Sequence, residues 1–108
     1  MPQLIIRGLE KTEVQQISKL LVDELTVVIG CPRDYFTIEV PDTTFIYDGE
    51  EVTATPFIQV NWFDRGQSVQ DQAAAAIDRH IRALGYNQIE IFFIPLQEAA
   101  YYENGKHY

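Results

Sequence analysis

A chain of 108 residues is the size of one domain, and 8 Lys and Arg against 16 Asp and Glu leave a formal charge of −8. That balance excludes a general duplex-DNA binder, which needs a basic face to displace counterions, and it argues against docking on anionic lipid. With 46% hydrophobic and 22% charged residues the chain reads as globular, and no apolar run approaches the ~20 residues of a membrane span. The start, Met1-Pro2-Gln3-Leu4, lacks the basic and apolar regions of a secretory signal. Cys31 is the only cysteine, so no internal disulfide can form, which fits a cytoplasmic location. His80 and His107 complete a poor ligand set, so neither a metal nor another cofactor is expected.

Residues 3–7 are short and β-rich. Val14, Ile17, Leu21, Leu25 and Val28 then recur at helical spacing, one apolar stripe on an amphipathic helix. Thr12 and Gln15 form a capping-box pattern at its start, and Gly30 with Pro32 stops it. A second strand runs over 35–40 and ends at Pro41. Residues 43–54 read as a β-hairpin around Asp48-Gly49, because both positions tolerate positive φ. A third strand covers 57–63. Ser68 with Asp71 predicts a helix start, and Val69, Ala73, Ala76, Ile77, Ile81 and Leu84 make its stripe up to Gly85. The last main strand covers 88–94 and ends at Pro95, and Asn104-Gly105 places a tight turn in the tail, 96–108.

The punctuation repeats. Pro2 and Pro56 open strands 54 positions apart, Gly30 and Gly85 stop helices 55 apart, and Pro41 and Pro95 close strands 54 apart. The halves 2–41 and 56–95 each predict a right-handed β-α-β crossover within the single domain 1–108. The expected fold class is α+β: a four-stranded mixed sheet with both helices on one face. Alternation leaves the other face mixed, with Gln59 and Asn61 among large apolar groups, and a monomer would expose too much of it. Packing against further copies of the chain follows as an expectation. An ordinary two-layer α+β monomer or dimer is the plainer alternative, and a ferredoxin-like regulatory dimer another.

Pro2 hints at chemistry. Initiator Met is usually removed before a small residue such as Pro, which would leave a secondary amine at the terminus. Such an amine is a useful base only when an apolar niche or a neighbouring cation lowers its pKa toward the working pH. Trp62, Phe92, Phe93, Tyr101 and Tyr102 supply aromatic groups that could wall a niche. On its own, Pro2 also reads simply as a strand-start residue.

A Met-Pro start, two β-α-β units in one short domain and an uncovered sheet face together resemble the tautomerase superfamily, which includes oxalocrotonate tautomerase and macrophage migration inhibitory factor. Leu9-Glu10 resembles the turn after the first strand of the former, and Val40-Pro41-Asp42 a segment of the latter. The tail FIPLQEAAYYENGKHY, with Arg7 and Trp62-Phe63, is similar to a family of small bacterial proteins within that superfamily. The resemblance implies a homotrimer whose three sheets form a barrel, with a pocket at each subunit interface. It implies keto–enol tautomerisation of a small-molecule carboxylate, with Pro2 moving the proton and cations holding the carboxylate. The superfamily's supporting residues fall at other residue types here: an arginine at Thr12, beside Lys11; a lysine near Cys31, two residues from Arg33; a Tyr and an Asn at Ile91 and Phe93.

Arg7, Arg33 and Arg65 are therefore the candidate carboxylate holders, since the arginine fork binds both oxygens. Singly, Arg33, Arg65 and Lys11 also read as solvated charge, and Arg7 equally as an ion-pair partner of Glu39 or Glu90 on a neighbour. Tyr101 and Tyr102 are candidate pocket-lining residues, with interface packing over a neighbouring subunit as the alternative. Cys31 is read as structural, His80 as exposed or packing-adjacent on the second helix, and no chemistry is expected of His107 near the terminus. A non-catalytic trimeric module that binds a small ligand or a protein, on the same fold, stands beside the enzyme reading.

Overall fold

A computed structural model of the chain describes all of residues 1–108. Four strands build the main sheet: β1 (Gln3–Arg7), β2 (Thr37–Glu39), β5 (Phe57–Trp62) and β6 (Glu90–Pro95), in the order β2-β1-β5-β6. β1 and β2 run parallel around helix α1 (Lys11–Leu25), and β5 and β6 run parallel around α2 (Gln67–Arg82). The two units meet antiparallel at β1 and β5, where Gln3 faces Asn61 and Arg7 faces Phe57. Each crossover thus joins adjacent strands, unlike the split β-α-β of a ferredoxin-like domain. Neither helix is long and apolar enough to cross a membrane.

Strand alternation decides what is core. Leu4, Ile6, Ile58, Val60 and Trp62 point to the helix side and are essentially sealed from solvent, together with Leu21, Leu25, Ile77 and Ile81 from the helices. Each such aliphatic side chain contributes about 1.5–3 kcal/mol on burial. Ala73 and Ala76, both buried, let α2 approach the sheet closely. Glu24 ties the helices together by accepting hydrogen bonds from Arg79 at 2.8 Å and lying 2.9 Å from His80 Nε2.

The hairpins form where the turn residues predict them. β3 (Phe45–Tyr47) and β4 (Glu50–Val52) pair around Asp48 and Gly49, both at positive φ. In the tail, β7 (Tyr102–Glu103) and β8 (Lys106–His107) pair around Asn104 and Gly105, again at positive φ.

Several boundaries differ from the sequence-based expectation. α1 is capped one residue outside itself by Glu10, in a reciprocal box with Glu13, not by Thr12 and Gln15. A glutamate is long enough to reach back across the first turn, and its charge also favours a helix N-terminus. α2 starts at Gln67 after Gly66, with no Ser68 cap, because Gly66 is free to take a positive φ and turns the chain out of β5. A single 3-10 turn, Arg33–Tyr35, shortens the second strand to three residues, and β6 begins only at Glu90. The last turn before Gly30 widens into a π-helical segment, Thr26–Gly30.

Candidate active site

Pro2 opens β1 on the helix-facing side, in phase with Leu4 and Ile6, and is under 2% exposed. Continuing the β1–β5 register by one residue sets it across from Trp62, itself 1% exposed. The Pro2 carbonyl accepts the Thr37 amide at 3.2 Å, which fixes the strand start against β2. Trp62 packs against Phe93 with ring centroids 5.1 Å apart, and its indole Nε1–H is buried with no acceptor. An unpartnered buried donor costs about 1–3 kcal/mol, so this end of the sheet holds an unspent polar group beside Pro2.

Two further side chains reach the same end. Burial lowers the Met1 α-amino group below its usual range; the Cys31 thiol partly opposes that shift, and the Arg65 guanidinium adds to it. Burial in turn pushes the Cys31 thiol up, with the terminal ammonium and Arg65 acting the other way. The chain start, Cys31 and Arg65 therefore sense one another's charge in a partly dry niche. Arg65 donates to the Phe63 carbonyl at 3.4 Å, which folds its side chain back over the end of β5.

The other sequence candidates are placed as follows. Arg33 pairs with Asp23 on α1 and donates to the Lys19 carbonyl at 3.3 Å, so its fork is committed to the helix. Arg7 lies at the opposite end of β1, five residues and about 16 Å of strand from Pro2. It donates from both terminal nitrogens to Gln59 Oε1 at 3.3 Å, on the uncovered sheet face. Tyr101 packs edge-on against Phe63, centroids 5.5 Å apart, and against Tyr108 at 5.2 Å. The tail thus turns back onto its own chain beside the Pro2 end of the sheet. Tyr102 is exposed and stacks only on His107. Ile91 and Phe93, where the resemblance would set a Tyr and an Asn, pack against the core.

Sequence reasoning did not single out Gln3. Its amide bridges Asn61 and the Tyr101 hydroxyl, at 3.4 and 3.5 Å. The available signal was its position directly after Pro2, on the same face as Gln59 and Asn61. Elsewhere, a cleft of about 580 Å³ opens at the far end of the sheet between Gly8, Lys11, Asp42, Thr43, Thr53 and Tyr86.

A family model, a domain of unknown function designated DUF1904, matches residues 1–107. The chain belongs to the DUF1904 family. A solved DUF1904 structure from Sebaldella termitidis is 40% identical over the whole of both chains, with a TM-score of 0.94. A macrophage migration inhibitory factor-like protein from Entamoeba histolytica shares 16% identity, covers 99% of this chain and 98% of its own, and superposes with a TM-score of 0.77. The fused 4-OT protein F6, solved as an asymmetric trimer, shares 16% identity over 97% of this chain and 94% of its own, at a TM-score of 0.80. At such identity these last two show the fold: this DUF1904 chain has the tautomerase-superfamily architecture. No functionally curated protein matches it.

Proposed function

We propose that the protein is a tautomerase-like isomerase, in which the nitrogen of Pro2, freed of Met1, moves a proton between carbon and oxygen of a small enolisable keto acid. The observation that carries this reading is the burial of the chain start: Pro2 is sealed, and the amine just outside it is already shifted down by loss of water. A lowered pKa keeps the lone pair available near neutrality, and the resulting cation returns the proton to the neighbouring atom. Arg65 is the carboxylate holder of choice within the chain, because it alone of the three candidate arginines lies near that amine. The trimeric assembly of the fused 4-OT relative supports a homotrimer with the pocket closed by a neighbour.

The test is ketonisation of phenylenolpyruvate by protein whose intact mass shows a free Pro2. We expect turnover that Pro2→Ala abolishes. Equal rates for the two proteins, or none above buffer for either, contradict the reading. The second reading is a non-catalytic ligand-binding trimer. The apolar, half-buried Ile91 and Phe93, packed against the core where the resemblance calls for polar partners, favour it. Binding of a keto acid without turnover by the Met-free protein would select it.

A further inference from the structure

The sheet face turned away from the helices carries an unbroken polar row. Arg7 donates to Gln59 Oε1 at 3.3 Å from each of its terminal nitrogens. Gln59 Nε2 donates to Asn61 Oδ1 at 2.9 Å, and Asn61 Nδ2 to Gln3 Oε1 at 3.4 Å. Gln3 Nε2 then donates to the Tyr101 hydroxyl oxygen at 3.5 Å. An amide can normally face a partner with either end. Here one end of the row removes that freedom, because a guanidinium has donors only. Gln59 must turn its oxygen to Arg7. Its nitrogen is then the group left for Asn61, and the same choice passes to Gln3. At the other end the Tyr101 hydroxyl oxygen accepts a hydrogen bond from Gln3 instead of donating one. Its own O–H finds no acceptor within the chain, while the ring is pinned between Phe63 and Tyr108.

We propose that Arg7 sets the direction of this amide row and thereby makes Tyr101 an outward hydrogen-bond donor on the face turned away from the helices, poised for a carboxylate or carbonyl oxygen of a ligand that reaches over the strand ends to Pro2. Arg7, Gln59, Asn61 and Gln3 are positioning residues in this account, and Arg7 acts from the far end of the sheet without touching the ligand. The inference rests on the Pro2 end being the binding site. It assigns Tyr101 a role that its aromatic packing alone would not require.

The decisive variant is Gln59→Glu, which keeps the shape and adds an ion pair to Arg7. A carboxylate there cannot donate, so Asn61 and Gln3 must both reverse, and Gln3 Oε1 then accepts the hydrogen bond of the Tyr101 hydroxyl. The probe is phenylglyoxylate, a keto acid that cannot enolise, so binding by calorimetry is separate from turnover. Tyr101→Phe and Gln59→Glu should each weaken binding by about tenfold, the scale of one hydrogen bond to a charged group. The double variant should bind no more weakly than either alone, whereas a long-range effect of the added charge would add to the loss of the hydroxyl. Wild-type affinity in Gln59→Glu, wild-type affinity in Tyr101→Phe, or additive losses overturn the proposal. Should the wild-type protein turn over phenylenolpyruvate but not bind phenylglyoxylate, the ligand role of Tyr101 is overturned; should it do neither, the Pro2 reading falls and the row is judged by NMR. Cross-peaks from the Gln3 side-chain amide protons to the Tyr101 ring, lost in Gln59→Glu, support its direction; their absence in the wild type overturns it.

Discussion

Two buried prolines open equivalent strands at opposite ends of the sheet, and their surroundings differ. Pro2 and Pro56 are both under 2% exposed, and each carbonyl accepts an amide from the parallel neighbour, Thr37 at 3.2 Å and Glu90 at 3.1 Å. Both nitrogens are peptide nitrogens here, that of Pro2 bonded to Met1 and that of Pro56 to Thr55. The loop before Pro56 is clamped by Gly8, where a Cβ would meet the Thr55 carbonyl oxygen at 2.0 Å. At Pro2, Cys31 and Arg65 lie near the preceding Met1, and an unpartnered indole N–H takes the place of a clamp. The same strand start is thus clamped by a close backbone approach at Pro56 and has no such clamp at Pro2.

That contrast can be broken by substitution. Gly8→Ala should cost the most, on the order of 3 kcal/mol, because it adds a side chain at φ +87° and drives it into backbone. Urea unfolding reads it, and a loss under 1 kcal/mol would mean that the Pro56 end is not clamped. Arg65→Ala should weaken keto-acid binding by about tenfold while leaving the unfolding midpoint close to wild type. Unchanged affinity would detach Arg65 from the site.

Tyr86→Phe sharpens the other side of the comparison. Tyr86 follows the stop of α2 as Cys31 follows that of α1, but its hydroxyl donates to Glu13 Oε1 at 2.7 Å. Burial first, then that hydrogen bond and the charges of Glu13 and Glu10, push the Tyr86 phenol from 10.0 up to about 12. The unfolded chain therefore loses this proton before the folded one does. The stabilisation is complete below pH 10 and is lost as pH rises through about 12. Tyr86→Phe should cost about 1 kcal/mol at neutral pH and flatten that part of the alkaline unfolding curve. An unchanged alkaline slope would place the titration elsewhere. Arg33→Ala should move stability by no more than about 0.5 kcal/mol, as an exposed ion pair does, and should leave keto-acid binding as it is. A loss of binding would return Arg33 to the site.

Much of the fold is legible in the sequence because its signals are local. Asp48-Gly49 and Asn104-Gly105 sit at positive φ because their residue types tolerate it, and Gly30 and Gly85 mark helix ends for the same reason. The helix starts were harder to read. Glu10 with Glu13 and Thr12 with Gln15 both fit a capping pattern, and the extended backbone of Glu10 just before the first helical residue makes it the cap. Pro2 stands out in the sequence as a candidate, whereas the side chains that lie beside it do not. Arg65 and Arg33 look alike in sequence; Asp23, one helical turn from Lys19, captures Arg33, and no local pattern announces it. The amide row is a product of register, since Gln3 meets Asn61 only when β1 and β5 pair antiparallel.

The most direct measurement is a ¹⁵N NMR titration of the Pro2 nitrogen in protein that intact mass shows to begin at Pro2. The account predicts a nitrogen that titrates below the range of an exposed α-amino group and is substantially neutral at pH 7. A nitrogen that titrates as a free amine in bulk water does, or that stays protonated well above neutrality, contradicts it.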